Sequence, residues 1–159
     1  MKRLIVLLLA AYALTWVGAA FAYGVPTHQD LSAAAVDASV LKADPTVLSD
    51  LGLKSLTASE QTFPNSEGLR RTIDVLIQDG AGFEDNNIRA LNHFYDPLAN
   101  EPISVLGHTS PDWALEDQDT YLFQNDSFRD TRQFFLNALT LQSKEAREEA
   151  WGRTFQGLG

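Results

Sequence analysis

The residues best able to do chemistry lie in one short stretch, Glu84–Pro97, which reads EDNNIRALNHFYDP. Within it stand three carboxylates, one guanidinium and one imidazole, from Glu84, Asp85, Arg89, His93 and Asp96. Carboxylate oxygens and imidazole nitrogens are ligands that Zn²⁺ uses in proteins. Because the whole chain has only 3 histidines, the presence of one here is informative. The stretch therefore predicts a divalent-metal site.

Helix geometry limits how such a site could form. An ideal helix would separate Asp85 from His93 by about 12 Å along its axis, whereas zinc holds each ligand atom at about 2 Å. One ion therefore cannot bridge these two residues on a straight helix. The preceding Gly80-Ala81-Gly82 is predicted to break the helix. Asp85 would then lie in a loop or at a helix start, with its side chain turned inward.

The first 22 residues have the features of a signal peptide. Lys2-Arg3 is a cationic start, Leu4–Val17 is an apolar run, and Ala20-Phe21-Ala22 is a small-x-small cleavage signal. Cleavage there predicts an exported protein, periplasmic or secreted, that begins at Tyr23 and has no permanent membrane anchor. The alternative is an uncleaved anchor, because the apolar run from Leu4 to Ala22 is near the length that spans a bilayer.

Composition sets the remaining bounds. The 159 residues are enough for one domain or part of one, and 45% hydrophobic content is ordinary for a globular core. With 12 basic and 21 acidic residues, the chain is not a nucleic-acid scaffold that works through basic patches. A phosphate-processing site remains open, because bound cations invert the local potential. Cysteine is absent, so packing or metal must hold the fold, and a thiol nucleophile is excluded.

Beyond the leader, the pattern predicts helices almost throughout. The predicted helix starts are a capping box at Thr27 and Asp30, an N-cap at Asp44, and caps at Ser66, at Ser110 or Asp112, and at Ser143. The predicted ends are Gly52, Gly80 and the Asp96-Pro97 turn, with helices over 85–93 and 128–141. The last helix, from Lys144, is predicted to continue where the chain stops at Gly159. Ile103–Leu106 is the best strand candidate, and the Phe134-Phe135 pair is expected in the core.

These residues together resemble the zinc-dependent phospholipase C / P1 nuclease superfamily, in particular its exported bacterial members. The resemblance runs from residue 23 to the end of the chain. It is carried by Tyr23-Gly-Val-Pro-Thr-His28, Gly80-Ala-Gly-Phe-Glu-Asp85, Arg89, Asn92-His-Phe-Tyr-Asp-Pro97, Ser110-Pro-Asp-Trp-Ala-Leu115 and the segment from Phe128-Arg-Asp to Gly157-Leu-Gly159.

The resemblance implies an all-α, irregular multi-helix bundle around a trinuclear zinc cluster, of which residues 23–159 are the N-terminal portion. The α-amino group and carbonyl of the mature first residue, Tyr23 here in place of the usual tryptophan, would share one zinc with His28. Asp85 and His93 would share another, and Arg89 would support a carboxylate. The family's remaining ligands, a His-x-x-x-Asp pattern and further residues, have no counterpart before Gly159. The zinc cluster is therefore expected to be incomplete, and no catalytic residue is assigned.

The implied activity is zinc-dependent hydrolysis of phosphate ester bonds in a small phosphoester, either a phospholipid or a nucleotide. The fragment itself is expected to be inactive. The alternative is an exported helical binding or structural domain without catalysis. In that case His28 is a surface residue, His93 is a satisfied core histidine, and Asp96 belongs to a turn. The sequence does not choose between the substrates and leaves the oligomeric state open.

Overall fold

A computed structural model of the chain describes residues 24–85, 89, 95–99, 101–102, 109–115 and 126–159. The predicted signal peptide, the predicted ligands Tyr23 and His93, the strand candidate at 103–106 and His108 lie outside these residues. None of the described helices is long and apolar enough to cross a bilayer.

The described part of the chain is mainly helical, which is compatible with the predicted all-α class. Its helices are α1 (Val25–Asp37), α2 (Val40–Ala43), α3 (Pro45–Asp50), α4 (Ile73–Glu84), α5 (Ser110–Leu115), α6 (Phe128–Thr140) and α7 (Lys144–Gln156). Two antiparallel pairings interrupt them, β1 (Phe63–Pro64) with β2 (Arg70–Arg71) and β3 (Tyr95–Asp96) with β4 (Glu101–Pro102).

Three helix starts follow from local side-chain chemistry; the caps at Asp44 and Ser143 confirm predictions, whereas the cap at Ser127 was not predicted. Asp44 accepts a hydrogen bond from the Thr46 N–H at 2.9 Å and caps α3. Ser127 and Asp130 form a reciprocal capping box at the start of α6, each accepting from the other's backbone N–H at 3.1 Å. Ser143 caps α7 by accepting from the Ala146 N–H at 3.2 Å. These caps satisfy amide groups that a helix start otherwise leaves without partners.

The prediction that Ser66 caps a helix is wrong, because residues 63–71 form the β1–β2 hairpin. The Asn65 side chain accepts from the N–H groups of Glu67 at 3.0 Å and Leu69 at 2.9 Å. Gly68 in the same turn has φ +80°, a conformation that favours glycine. An Asn side chain that bonds its own backbone competes with helix formation, so α4 begins only at Ile73.

The predicted break at Gly80-Ala81-Gly82 is also wrong, because α4 runs through these residues to Glu84. Asp85 is therefore the C-cap of α4 and does not lie in a glycine loop. The glycines instead allow other elements to approach the helix. A Cβ on Gly80 would stand 1.8 Å from the carbonyl oxygen of Gln156. The α4–α7 contact therefore requires glycine at this position.

Two further helix ends differ from the predictions. Helix α1 begins after Gly24, with Pro26 in its first turn, so Thr27 and Asp30 do not form its capping box. Pro26 explains this earlier start, because the proline ring is suited to the first turn of a helix. Helix α7 ends at Gln156 with Gly157 as its C-cap, so Gly159 does not lie in the middle of a helix.

Helix α4 lies at the centre of the core, with α1 against one side and α7 against the other, and α6 packs on α7. Trp151 and Phe155 of α7 stack with ring centroids 5.7 Å apart. The core cluster comprises Val36, Leu48, Leu53, Leu56, Phe63, Ile73, Leu76, Ile77, Ala138, Ala150, Trp151 and Phe155. Phe135 does not belong to it, which corrects the prediction: its ring contacts Trp151 edge-on at 5.7 Å but stays 38% exposed.

Candidate functional site

Two of the predicted metal ligands, His28 and Asp85, lie against each other. His28 is in the first turns of α1, and Asp85 caps the C-terminus of α4. Their side chains meet with Nε2 of His28 3.3 Å from Oδ2 of Asp85. The imidazole is 31% exposed and the carboxylate 17%. The pair therefore lies near the surface, where a small ion or ligand could reach it.

The packing of α1 on α4 explains why these residues meet. Gly82 lies one turn before Asp85, on the side of α4 that faces α1, where a Cβ on it would stand 3.1 Å from Gln29 Nε2 and 3.2 Å from Val25 Cγ1. Residues three apart share one side of a helix, so Asp85 is directed toward α1 as well. A side chain longer than that of alanine at position 82 would crowd Gln29 and Val25 of α1.

The arrangement supplies one imidazole nitrogen and one carboxylate oxygen, both of which are donor types that zinc uses in proteins. Within the described ranges, no group of three or more His, Cys, Asp and Glu side chains converges. The resemblance assigned His28 and Asp85 to two different zinc ions, with Tyr23 and His93 as their respective companions. Since Tyr23 and His93 are outside the described residues, their roles stay predictions.

Arg89 contacts the neighbouring carboxylate, Glu84, rather than Asp85. Its guanidinium also lies 5.9 Å from the centre of the Trp113 ring. An arginine held by a carboxylate and an aromatic face is well fixed, because its planar group can satisfy both contacts at once. Arg89 therefore fixes Glu84, the residue next to the His28–Asp85 pair in sequence.

A further ion pair joins Asp126 to Arg153, and no sequence motif predicts it. Nε of Arg153 donates to Oδ1 of Asp126 at 3.0 Å, and the guanidinium lies 4.7 Å from the centre of the Phe134 ring. Burial raises the pKa of Asp126 above its usual value, although the charges of Arg153 and then Arg89 act in the opposite direction. Asp126 therefore holds its proton more tightly than an exposed aspartate does.

The Glu84–Arg89 and Asp126–Arg153 ion pairs border a cavity of about 330 Å³ between the C-terminal ends of α4 and α7. Its lining residues are Ser66, Gly80, Phe83, Glu84, Arg89, Asp126, Arg153, Gln156, Gly157 and Gly159. The buried Gln156 side chain closes one wall: Oε1 accepts from the Ser66 N–H at 2.8 Å and Nε2 donates to the Ser66 hydroxyl at 3.0 Å.

The cavity and the His28–Asp85 pair lie on different sides of α4. Gly80 and Glu84, four residues apart, share the cavity side, whereas Gly82 and Asp85 share the side toward α1. Asp126 and Arg153 share no local sequence motif, so their pairing follows only from the packing of the chain.

No family model, curated protein or solved structure matches this chain.

Proposed function

We propose that the protein is part of a zinc-dependent hydrolase that acts on phosphate ester bonds, with His28 and Asp85 among the zinc ligands. The single observation that supports this is the 3.3 Å approach of His28 Nε2 to Asp85 Oδ2. His28 lies in α1 and Asp85 caps α4, and both are residue types that bind zinc in proteins.

The donor chemistry fits zinc. A neutral imidazole offers a nitrogen lone pair, and an ionised carboxylate offers an oxygen. Tyr23, through its backbone atoms, and His93 are the further donors that the resemblance implies. Bound zinc would lower the pKa of a water molecule and stabilise charge on a phosphoryl oxygen. Within the protein, Asp85 would orient the His28 ring, and Arg89 would hold Glu84 away from the zinc ligands.

The alternative function is that of an exported helical binding or structural domain without catalysis. The His28–Asp85 contact also supports this alternative, because the two side chains interact with each other and join α1 to α4 without a metal. In that case the pair needs no metal, and the apolar core around α4 carries the stability. Folding would then be the same with and without a chelator.

Zinc content per chain, measured by inductively coupled plasma mass spectrometry after dialysis, tests the proposal. We expect wild-type protein to retain zinc. His28→Ala and Asp85→Asn should each lose at least about tenfold in affinity, because each removes a ligand. His108→Ala is the matched control, since it removes a histidine outside the proposed set and should leave the zinc content unchanged. Equal zinc content in all four proteins would overturn the proposal.

A second measurement separates phosphoester chemistry from metal binding alone. Phosphate is the product group of the proposed reaction, and it should raise the melting temperature of the zinc-loaded protein but not that of the chelated protein. The His28→Ala variant should lose this zinc-dependent shift. If zinc binds but phosphate never stabilises the loaded protein, the metal site stands and the hydrolase proposal fails. If a chelator leaves the melting temperature unchanged and no zinc is bound, the structural alternative is correct.

A further inference from the structure

Two adjoining cavities form a cleft beside the C-terminal ends of α4 and α7, on a different side of α4 from His28. The larger has a volume of about 330 Å³ and the smaller about 210 Å³. The two share the lining residues Glu84, Arg89, Asp126, Gly157 and Gly159. We call them together the α4–α7 cleft. Its size lies in the range of sites for small molecules.

The smaller cavity gives the cleft an apolar end, lined by Trp113, Phe128 and Leu158. Trp113 is buried, whereas Phe128 is 51% exposed and Leu158 49% exposed. Exposed apolar side chains that line one concave surface are typical of a binding site. The cleft therefore suits a ligand that has one charged group and one apolar group.

The electrostatics of the cleft favour a cation. The formal charges of Glu84 and Asp126 cancel those of Arg89 and Arg153, all four of which line the larger cavity. Two helix C-termini also end there, and each carries roughly half a negative charge from its carbonyl groups. The net charge of −9 on the whole chain acts in the same direction. An anion would therefore be repelled, and a single positive charge would be attracted.

The two arginines are already engaged. Arg89 contacts Glu84, and Arg153 contacts Asp126. Each guanidinium also lies against an aromatic ring, 5.9 Å and 4.7 Å from the ring centres. A carboxylate can accept about four hydrogen bonds, so Glu84 and Asp126 can accept from a ligand while they hold their arginines. The carboxylates are thus the groups through which the cleft would recognise a charge.

Asp126 supports this assignment. Burial raises the pKa of its carboxyl group, although the charges of Arg153 and Arg89 act in the opposite direction. The arginines therefore compensate the buried negative charge only in part, and a further cation nearby would stabilise it. A metal ion suits the cleft less well, because no group of three or more His, Cys, Asp and Glu side chains converges within the described residues. An ammonium group can instead donate to both carboxylates and carry an apolar substituent.

We propose that the α4–α7 cleft binds a small primary amine in its ammonium form. The ammonium group would be directed toward Glu84 and Asp126, and the apolar group toward Phe128 and Leu158. Hydrogen bonds between charged partners supply the recognition of the ammonium group, and the apolar end supplies contact area. This inference does not depend on the proposed zinc chemistry, because the cleft and His28 lie on different sides of α4.

Titration of the full chain by heteronuclear NMR at about pH 7 tests the proposal with three probes. Benzylamine, benzyl alcohol and benzoate share one ring and carry a positive charge, no charge and a negative charge. We expect benzylamine to bind with a dissociation constant on the order of 1 mM. The other two should bind at least about tenfold more weakly, because neither forms a charged hydrogen bond with a carboxylate. Tighter binding of benzoate, equal affinity for all three, or no binding of benzylamine would overturn the proposal.

Two variants place the probe within the cleft. Glu84→Gln should weaken benzylamine binding at least about tenfold, and Phe128→Ala should weaken it at least about threefold by removing apolar contact. Glu60→Gln is the matched control, since it makes the same change in net charge at an exposed residue that pairs with Lys54 outside the cleft. Its affinity should equal that of wild type. Equal weakening by Glu84→Gln and Glu60→Gln, or an unchanged affinity in both cleft variants, would contradict the proposal. The NMR spectra verify folding, and the three probes on wild type decide the outcome even if one variant does not fold.

Discussion

Gly80 of α4 lies against the backbone of Gln156 in α7, so closely that a Cβ at position 80 would stand 1.8 Å from the Gln156 carbonyl oxygen. This contact joins the two central helices at their C-terminal ends. It also positions the Gln156 side chain, which holds the Ser66 amide at 2.8 Å. A backbone contact of this kind cannot adjust by a change of rotamer, so a larger residue must move a helix.

We therefore expect Gly80→Ala to lower the free energy of unfolding by about 1–3 kcal/mol or more, the cost of overpacking a well-packed site. The loss should appear even though alanine is the better helix former by about 1 kcal/mol. Urea unfolding followed by circular dichroism measures it.

Gly82→Ala is the control for this prediction, because Gly82 lies in the same helix. Its added Cβ would meet the ends of side chains, Gln29 Nε2 at 3.1 Å and Val25 Cγ1 at 3.2 Å. These groups can shift, and the gain in helix propensity offsets the crowding. A change within about 1 kcal/mol of zero is expected. Equal losses at positions 80 and 82 would contradict the account of the α4–α7 contact.

The capping box at the start of α6 gives a second prediction. Ser127 is buried, and its hydroxyl accepts from the Asp130 N–H at 3.1 Å while it donates to Oδ2 of Asp130 at 2.9 Å. Ser127→Ala should therefore lower the free energy of unfolding by about 1–2 kcal/mol. Ser143→Ala removes the exposed cap of α7 and should cost less, about 0.5–1 kcal/mol. The reverse order in urea unfolding would show that burial does not strengthen the α6 cap.

Asp126 gives a prediction on pH. Burial raises its pKa in the folded protein above the unfolded value, which is about 3.9. The folded state therefore binds this proton more tightly than the unfolded state. The resulting contribution to stability is complete below the unfolded pKa and is lost as the pH rises through the folded pKa.

The urea midpoint of wild type, compared with that of Asp126→Asn from pH 3 to pH 7, isolates this contribution. Asparagine keeps the shape of the side chain and removes the titration. We expect the difference, wild type minus variant, to fall as the pH rises through this window. A difference that rises with pH would mean that the pairing with Arg153 outweighs burial and lowers the pKa.

The sequence predicts those features that depend on neighbouring residues. Asp44 and Ser143 were identified as caps because a side-chain acceptor and the amide it satisfies lie within three residues of each other. Gly80 and Gly82 predict a helix break from the local sequence. They instead allow close packing against α7 and α1, which are distant in the chain. The predicted cap at Ser66 is wrong for a local reason: the neighbouring Asn65 side chain accepts from the Glu67 and Leu69 N–H groups and stabilises a turn.

The candidate site also combines residues that the sequence predicts with contacts that only the fold determines. His28 and Asp85 could be singled out from residue type and resemblance, but their contact depends on how α1 packs against α4. Asp126 and Arg153 carry no motif, and their pairing follows only from the fold. Tyr23 and His93 stay predictions, because they lie outside the described residues.

Glu84 and Asp85, adjacent at the end of α4, reach in different directions, one to Arg89 and the other to His28. One residue added to this helix would turn everything beyond it by about 100° and advance it by about 1.5 Å. The Asp85 carboxylate would then leave His28, which lies on α1, whereas Glu84 and Arg89 both follow the insertion and would move together. The length of α4 is thus constrained by the attachment of its end to α1, and changes in chain length are better tolerated in the loops than in this helix.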